Sequence, residues 1–207
     1  MSDDKHEREG GIVSPDTRRS ERIPPGQVET RQWPVLHWGG VPQIAPDQWR
    51  LRIDGLVEQP WECDWPTFQT LPRVRVFCDI HCVTTWSRLD NLFEGPSTRE
   101  VLSHVKVRPE ARFVVLHAYE GSGGPWSTNL PLDAFFDDDC LFAVTHNGEP
   151  LTPHHGGPCR VVVPKLYFWK SAKWIQRVEL TDEDRPGFWE RNGYHMHGDP
   201  WTEERYG

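Results

Sequence analysis

Three side chains able to bind a soft metal lie within five residues at Cys78-Asp79-Ile80-His81-Cys82, and Trp86 follows four residues on. The cluster suits zinc, which takes thiolate and imidazole ligands, but a structural zinc site closes with a second ligand pair. Neither Cys140 nor Cys159 stands in a C-x-x-C unit that would supply one. The other reading is a strand that ends here and sends one cysteine, Cys82, toward a bound centre from a polar loop with Thr84, Thr85 and Ser87. A lone thiolate is a strong soft ligand for a metal whose remaining ligands come from a cofactor. Cys78, at the strand end, reads as a small buried hydrophobe.

A second cluster runs His154-His155-Gly156-Gly157-Pro158-Cys159-Arg160, then Val161-Val162-Val163-Pro164, then Lys165-Leu-Tyr-Phe-Trp-Lys170-Ser171-Ala172-Lys173. Glycines, a strand and then alternating cations and aromatics suit a flat heterocycle that carries a phosphate, with backbone amides near Ser171 and Ala172 as further donors. Five basic residues and no acidic one lie between Arg160 and Val178, in a chain whose net charge is −8. A confined anion site and a solvated cationic strand edge explain that run equally well. Nucleotide P-loop, Rossmann and serine-triad readings fail, because G-x-x-x-x-G-K-[ST], a helix-opening G-x-G-x-x-G and G-x-S-x-G are all missing.

The elements that must hold these clusters are short. The 207 residues include 19 prolines and 17 glycines, which argues against a helical bundle and for strands joined by many turns. Strands are expected over Trp49–Ile53, Arg73–Phe77, Phe113–His117, Leu141–Thr145, Arg160–Val163 and Trp174–Leu180. Asp64 caps a helix over 65–70, Ser97-Thr-Arg-Glu100 opens another near 98, and Asn147-Gly148 is a hairpin turn. The class is α+β, with mixed short-stranded sheets and few short helices. Residues 1–30 form a polar N-terminal arm, mobile or wrapped, and 31–207 form one domain. His37-Trp38 before Gly39-Gly40 lets a loop approach a ligand, or plugs the core. Eleven tryptophans exceed what a minimal core needs, and they suit either the walls of a ligand site or packing alone.

Taken together, Phe77-Cys-x-x-His-Cys82-Val83-x-x-Trp86-Ser, His155-Gly-Gly-Pro-x-Arg160-x-x-Val-Pro164-x-x-Tyr-x-x-Lys170-x-x-Lys173 and Pro186-Gly-Phe-Trp-Glu190-Arg-x-Gly-Tyr-His-Met-His-Gly-Asp-Pro200-Trp resemble the sulfite-oxidase-fold molybdopterin oxidoreductases. Within them the chain is similar to the branch containing the catalytic subunit of bacterial methionine sulfoxide reductase, over roughly residues 33–201. The resemblance implies a sulfite-oxidase-like molybdopterin-binding fold and one molybdenum with molybdopterin per chain, bound through Cys82. It further implies that His37, Trp38, Val83, His117, His155, Arg160, Ser171, Ala172 and Lys173 touch that cofactor.

The implied activity is two-electron oxygen-atom transfer on a small S-oxide, N-oxide or related substrate, with electrons exchanged through a separate protein. Sulfite oxidation is the alternative, yet Trp86 stands where sulfite oxidases carry an arginine, with Arg88 beyond. His155 likewise replaces an asparagine of the reductase branch. A zinc-holding or non-catalytic binding module on the same fold is the reading from another class. The acidic net charge disfavours nucleic acid as a partner, and the apolar runs are too short to span a membrane. Five cysteines and no apolar stretch after Arg18-Arg19 point to a cytoplasmic protein with reduced thiols.

Overall fold

The computed structural model describes residues 10–207. The strands are, in chain order, β1 (Ile12–Val13), β2 (Val28–Glu29), β3 (Arg50–Gly55), β4 (Trp61–Asp64), β5 (Val74–His81), β6 (Trp86–Gly95) and β7 (Phe113–Ala118). They continue with β8 (Ser127–Pro131), β9 (Leu141–Ala143), β10 (Thr145–His146), β11 (Glu149–Pro150), β12 (Arg160–Val162) and β13 (Ile175–Thr181). The α-helices are α1 (Trp65–Gln69), α2 (Thr98–Leu102), α3 (Leu132–Phe135) and α4 (Phe188–Arg191). Both expected caps form, with Asp64 accepting from the Thr67 amide and Ser97 from that of Glu100. Asn147 and Gly148 take φ of 51° and 84° between β10 and β11, the left-handed pair such a hairpin turn requires.

Two sheets carry the fold. One runs β4-β3-β13-β7-β8; the other runs β1-β5-β6-β10-β11, with β2 also pairing β6. Between them lies the β9–β12 ladder, which registers Arg160 with Ala143 and Val162 with Leu141. Side chains alternate across a strand. Accordingly, Val161, Val163 and Phe142 enter the core beneath the first sheet, while Val162, Leu141 and Ala143 enter the core of the second. Burial on both faces explains why the run Val161–Val163 is uniformly apolar.

The strand expected over Arg73–Phe77 continues to His81, so Asp79 and His81 belong to β5 and Cys82 opens the turn that follows. Its partner β6 is the longest strand yet shows no apolar alternation, because its buried positions include Ser87 and Asn91. Those polar groups are satisfied from within the hairpin. The Asn91 amide donates to the Cys78 and Arg88 carbonyls, and Ser87 bonds the His81 ring. Among the described residues, no helix is long and apolar enough to cross a membrane.

Residues 10–30 lie along this hairpin. β1 pairs in parallel with β5 and β2 with β6, while residues 1–9 of the expected arm fall outside the described range. Arg22 closes the strap with two bonds to the buried Asp79 carboxylate, at 2.8 and 2.6 Å, and a third to Asp90. Burial holds Asp79 above the usual carboxylate pKa despite Arg22. Arg22→Ala should therefore destabilise the protein by roughly 2–3 kcal/mol near neutral pH, the low end for a buried pair because Arg22 is partly exposed. An acid with a raised folded pKa penalises the fold above that pKa, and the penalty fades as pH falls through it. The gap between variant and wild type should narrow from about pH 8 to about pH 5 in thermal unfolding, and a constant gap would contradict this assignment.

Candidate functional site

Cys82 sits at the apex of the β5–β6 hairpin. Its amide donates to the Trp86 carbonyl at 2.8 Å, and its carbonyl accepts from the Thr85 amide at 3.0 Å. Thr85 takes φ of +72° to close this turn. The Cys82 carbonyl also accepts from Gln27, and Arg205 donates to the Val83 carbonyl at 2.8 Å. The thiol is therefore fixed by backbone on both sides. Its Sγ lies 3.2 Å from the Thr84 hydroxyl, and it lines a cavity of about 230 Å³. Burial pushes the thiol pKa up, opposed by Thr84 and by the charges of Lys173 and Arg205.

Two cations line the same cavity. Arg160 opens β12, is 1% exposed, and donates only to main-chain carbonyls: His155 at 2.9 Å, Ser171 at 2.8 Å and Val161 at 3.4 Å. Its guanidinium lies against the Phe168 and Trp33 rings. Lys173 Nζ donates to the Leu36 and His154 carbonyls at 2.8 and 2.7 Å. Among the described residues neither cation has a carboxylate partner. Burial lowers the Arg160 pKa to about 9. Burial, and then repulsion from Arg160, lowers Lys173 to about 7.

This divides the basic run. Lys165 pairs with Asp137, Lys170 with Glu190, and Arg177 with Asp54 and Glu179. Three of the five charges are thus compensated by acids outside the run, and Arg160 and Lys173 remain for a ligand.

Of the ten expected site residues, His37, Trp38, Cys82, Val83, Arg160, Ser171 and Lys173 line this cavity. Ser171 spends its hydroxyl on the Val163 amide, so its carbonyl serves Arg160 instead. Ala172 lies in the core, its carbonyl accepting from the Val161 amide. His155 stands behind Trp33, whose ring stacks on it at 4.0 Å. Burial, with nearby cations, lowers the His155 pKa to about 4, and its buried Nδ1 has no partner. His117 is elsewhere: it pairs with Glu179 at 3.0 Å and faces a second depression with Arg50, Arg52 and Arg177.

Seven of the eleven tryptophans line the cavity, contributed by segments as distant as Trp33, Trp126 and Trp189. Their abundance was a legible signal; their convergence was not. Arg88 turns away, toward Asn91 and His146. Cys78 is packed in the core, and among the described residues no cluster of three or more metal-binding side chains forms. The Cys78–Cys82 segment is therefore no closed zinc site.

Comparison with known proteins shows the family and the fold. Residues 38–189 match the family described as Oxidoreductase molybdopterin binding domain. The chain is 50% identical over 194 residues to an uncharacterized oxidoreductase, YuiH, of Bacillus subtilis (strain 168), spanning 92% of this chain and 96% of that one. It is 31% identical over 160 residues to the protein-methionine-sulfoxide reductase catalytic subunit MsrP of Gluconobacter oxydans (strain 621H), spanning 70% of this chain and 51% of that one. The sulfane dehydrogenase SoxCD from Paracoccus pantotrophus shares the fold, with a TM-score of 0.64 at 22% identity over 79% of this chain and 47% of that one. The chain thus spans about half the length of these last two proteins.

A lysine whose folded pKa is lowered from 10.5 to about 7 costs the fold stability as pH falls between those two values, and below about 7 it stays charged in the fold without a counter-ion. A bound anion removes this cost. Pyrophosphate should therefore raise the unfolding temperature of ligand-free protein more at about pH 6 than at about pH 8.5, and Lys173→Met should abolish the difference. Equal shifts at both pH values would place the anion elsewhere.

Proposed function

The chain belongs to the oxidoreductases built on the molybdopterin-binding domain with the sulfite-oxidase-type fold, and from that premise we propose that it transfers an oxygen atom to or from a small S-oxide, N-oxide or related neutral substrate. The observation that carries this reading is one cavity holding a fixed thiol, two cations without carboxylates, and aromatic walls. These residues fit the cofactor. Cys82 would ligate the metal, while Arg160 and Lys173 would neutralise the pterin phosphate through charge-assisted bonds. The unpartnered His155 Nδ1 is a further polar atom at that end. When bound, the molybdenum centre supplies the two-electron redox change and carries the oxygen atom.

What the chain contributes is positioning. The hairpin apex holds the Cys82 sulfur, and the tryptophan walls exclude water from an apolar substrate space. Arg160 and Lys173 are the only arginine or lysine lining the cavity among the described residues, and both are assigned to the phosphate. No third cation is left for the oxyanion of sulfite, which favours a neutral substrate over sulfite oxidation. One thiol and one such cation pair support one cofactor per chain. Electrons would pass to or from a separate redox protein. Five cysteines, all unpaired thiols, support a reducing compartment such as the cytoplasm.

Cys82→Ser should abolish turnover of an S-oxide driven by a reduced dye, while the purified protein keeps its fold and much of its pterin. Cys78→Ser should keep turnover and lose only on the order of 1 kcal/mol of stability, from a hydroxyl in an apolar site. Elemental analysis should find molybdenum in wild type near one per chain. Equal losses of activity in the two variants, or wild type without molybdenum, would overturn the reading.

A further inference from the structure

Lys170 was drawn into the basic run by its spacing, yet it points away from the cavity into a closed polar knot. Its side chain and that of Glu190 are both 0% exposed, with Nζ 2.6 Å from Oε1. Nζ also donates to the Asn129 and Met196 carbonyls at 2.8 and 2.6 Å and meets Asn129 Oδ1 at 3.1 Å. Glu190 Oε1 accepts two more bonds, from the Thr128 hydroxyl at 2.8 Å and from the Trp169 indole N–H at 2.9 Å. The knot joins β8, the 168–170 turn, α4 and the segment that follows it.

Such a pair contributes little net stability, since two desolvated charges often bind no better than an apolar pair of the same volume. Its position explains more. Lys170 directly follows Trp169 and Glu190 directly follows Trp189, and both tryptophans line the cavity beside Cys82. Trp169 stacks on Tyr167 and meets Tyr194 edge-on; Tyr194 in turn stacks on Trp189. Gly198, at φ +85°, presses its backbone against the far edge of the Trp169 ring, where a Cβ would lie 2.9 Å from two ring carbons. These rings and Cys82 pack as one cluster. The indole N–H bond to Glu190 is what selects the orientation of Trp169 within an otherwise apolar stack, because stacking alone is poorly directional.

We infer that the buried Lys170–Glu190 pair is a positioning device that orients Trp169, and through it the aromatic wall facing Cys82, and so sets the affinity for substrate. The inference rests on the oxygen-atom-transfer reading above. Neither residue touches the cavity itself, so each acts through Trp169 and Trp189.

The test uses molybdenum-loaded protein, dimethyl sulfoxide as substrate and reduced methyl viologen as donor. Lys170→Met/Glu190→Leu should fold and keep its molybdenum. Its KM should rise at least about tenfold while kcat stays within about threefold, because a displaced wall alters apolar contacts by about a methylene's worth or more. Lys170→Met/Glu190→Gln removes both charges but keeps an acceptor for the indole, and it should restore KM. The Trp169 indole N–H, identified by its loss in Trp169→Phe, should exchange slowly in wild type, lose that protection in the leucine double variant and keep it in the glutamine one. Unchanged KM and a protected indole in the leucine variant would overturn the inference and reduce the pair to a structural role. If that variant does not fold, Glu190→Gln alone must keep the indole protected, and exposure there overturns it equally. Should wild type reduce no dimethyl sulfoxide, the proposed activity on that substrate fails, and the indole exchange alone then decides the inference.

Discussion

Two cations that find no carboxylate among the described residues, Arg160 buried and Lys173 partly so, set the terms for the rest of the structure. Arg160 and Lys173 sit in one cavity and repel each other, and their bonds go to the carbonyls of His155, Ser171, Val161, Leu36 and His154. Carbonyl dipoles orient a cation but do not cancel its charge, so the site is stable only at a cost that an anion relieves. The chain must therefore hold both residues on elements that cannot relax. Arg160 is locked at the start of β12, between two cores, and Lys173 is pinned between the Leu36 loop and His154. Arg160 is 1% exposed and is cut off from water, whereas Lys173 is only partly buried.

The same constraint explains the use of the other charges. An acidic chain has enough carboxylates to neutralise these two cations, but its acids are spent elsewhere. Glu179 gathers His117, Arg177 and Arg185, Glu190 takes Lys170, and Glu204 takes His197. The acidic chain end, net −5 over Glu179–Gly207, thus acts partly as a set of internal counter-ions. The cavity keeps its positive field because no acid faces it among the described residues.

How far the sequence could be read follows from the kind of information each feature carries. The strands β3, β7, β12 and β13 and both helix caps were legible, because alternation, two-sided apolar runs and capping residues are local signals. β6 was not, since its buried Ser87 and Asn91 are satisfied by partners across the hairpin and mimic a loop in composition. Cys82 could be singled out, because a thiol in a polar loop is poorly explained by packing. The basic run could be counted but not apportioned, for the acids that pair Lys165, Lys170 and Arg177 lie up to 123 residues away. His117 followed from family resemblance alone, and its neighbour Ala118 offers no side chain to carry the same contact. Trp33, which covers His155 and lines the cavity, sits in a breaker-rich loop where no local pattern assigns a partner.

A cavity of this kind ties occupancy to folding. A ligand that binds only the folded state stabilises it by an amount that grows with its concentration over its dissociation constant. Here the repulsion that an anion relieves is part of that dissociation constant, and it shows as tighter binding. The loop carrying Leu36 shares in this, because the carbonyl that holds Lys173 is the loop's own link to the cation. The thiol needs no such adjustment. Its hairpin apex is closed by backbone bonds to Trp86 and Thr85, which suits a residue whose task is to present one sulfur atom at a fixed place.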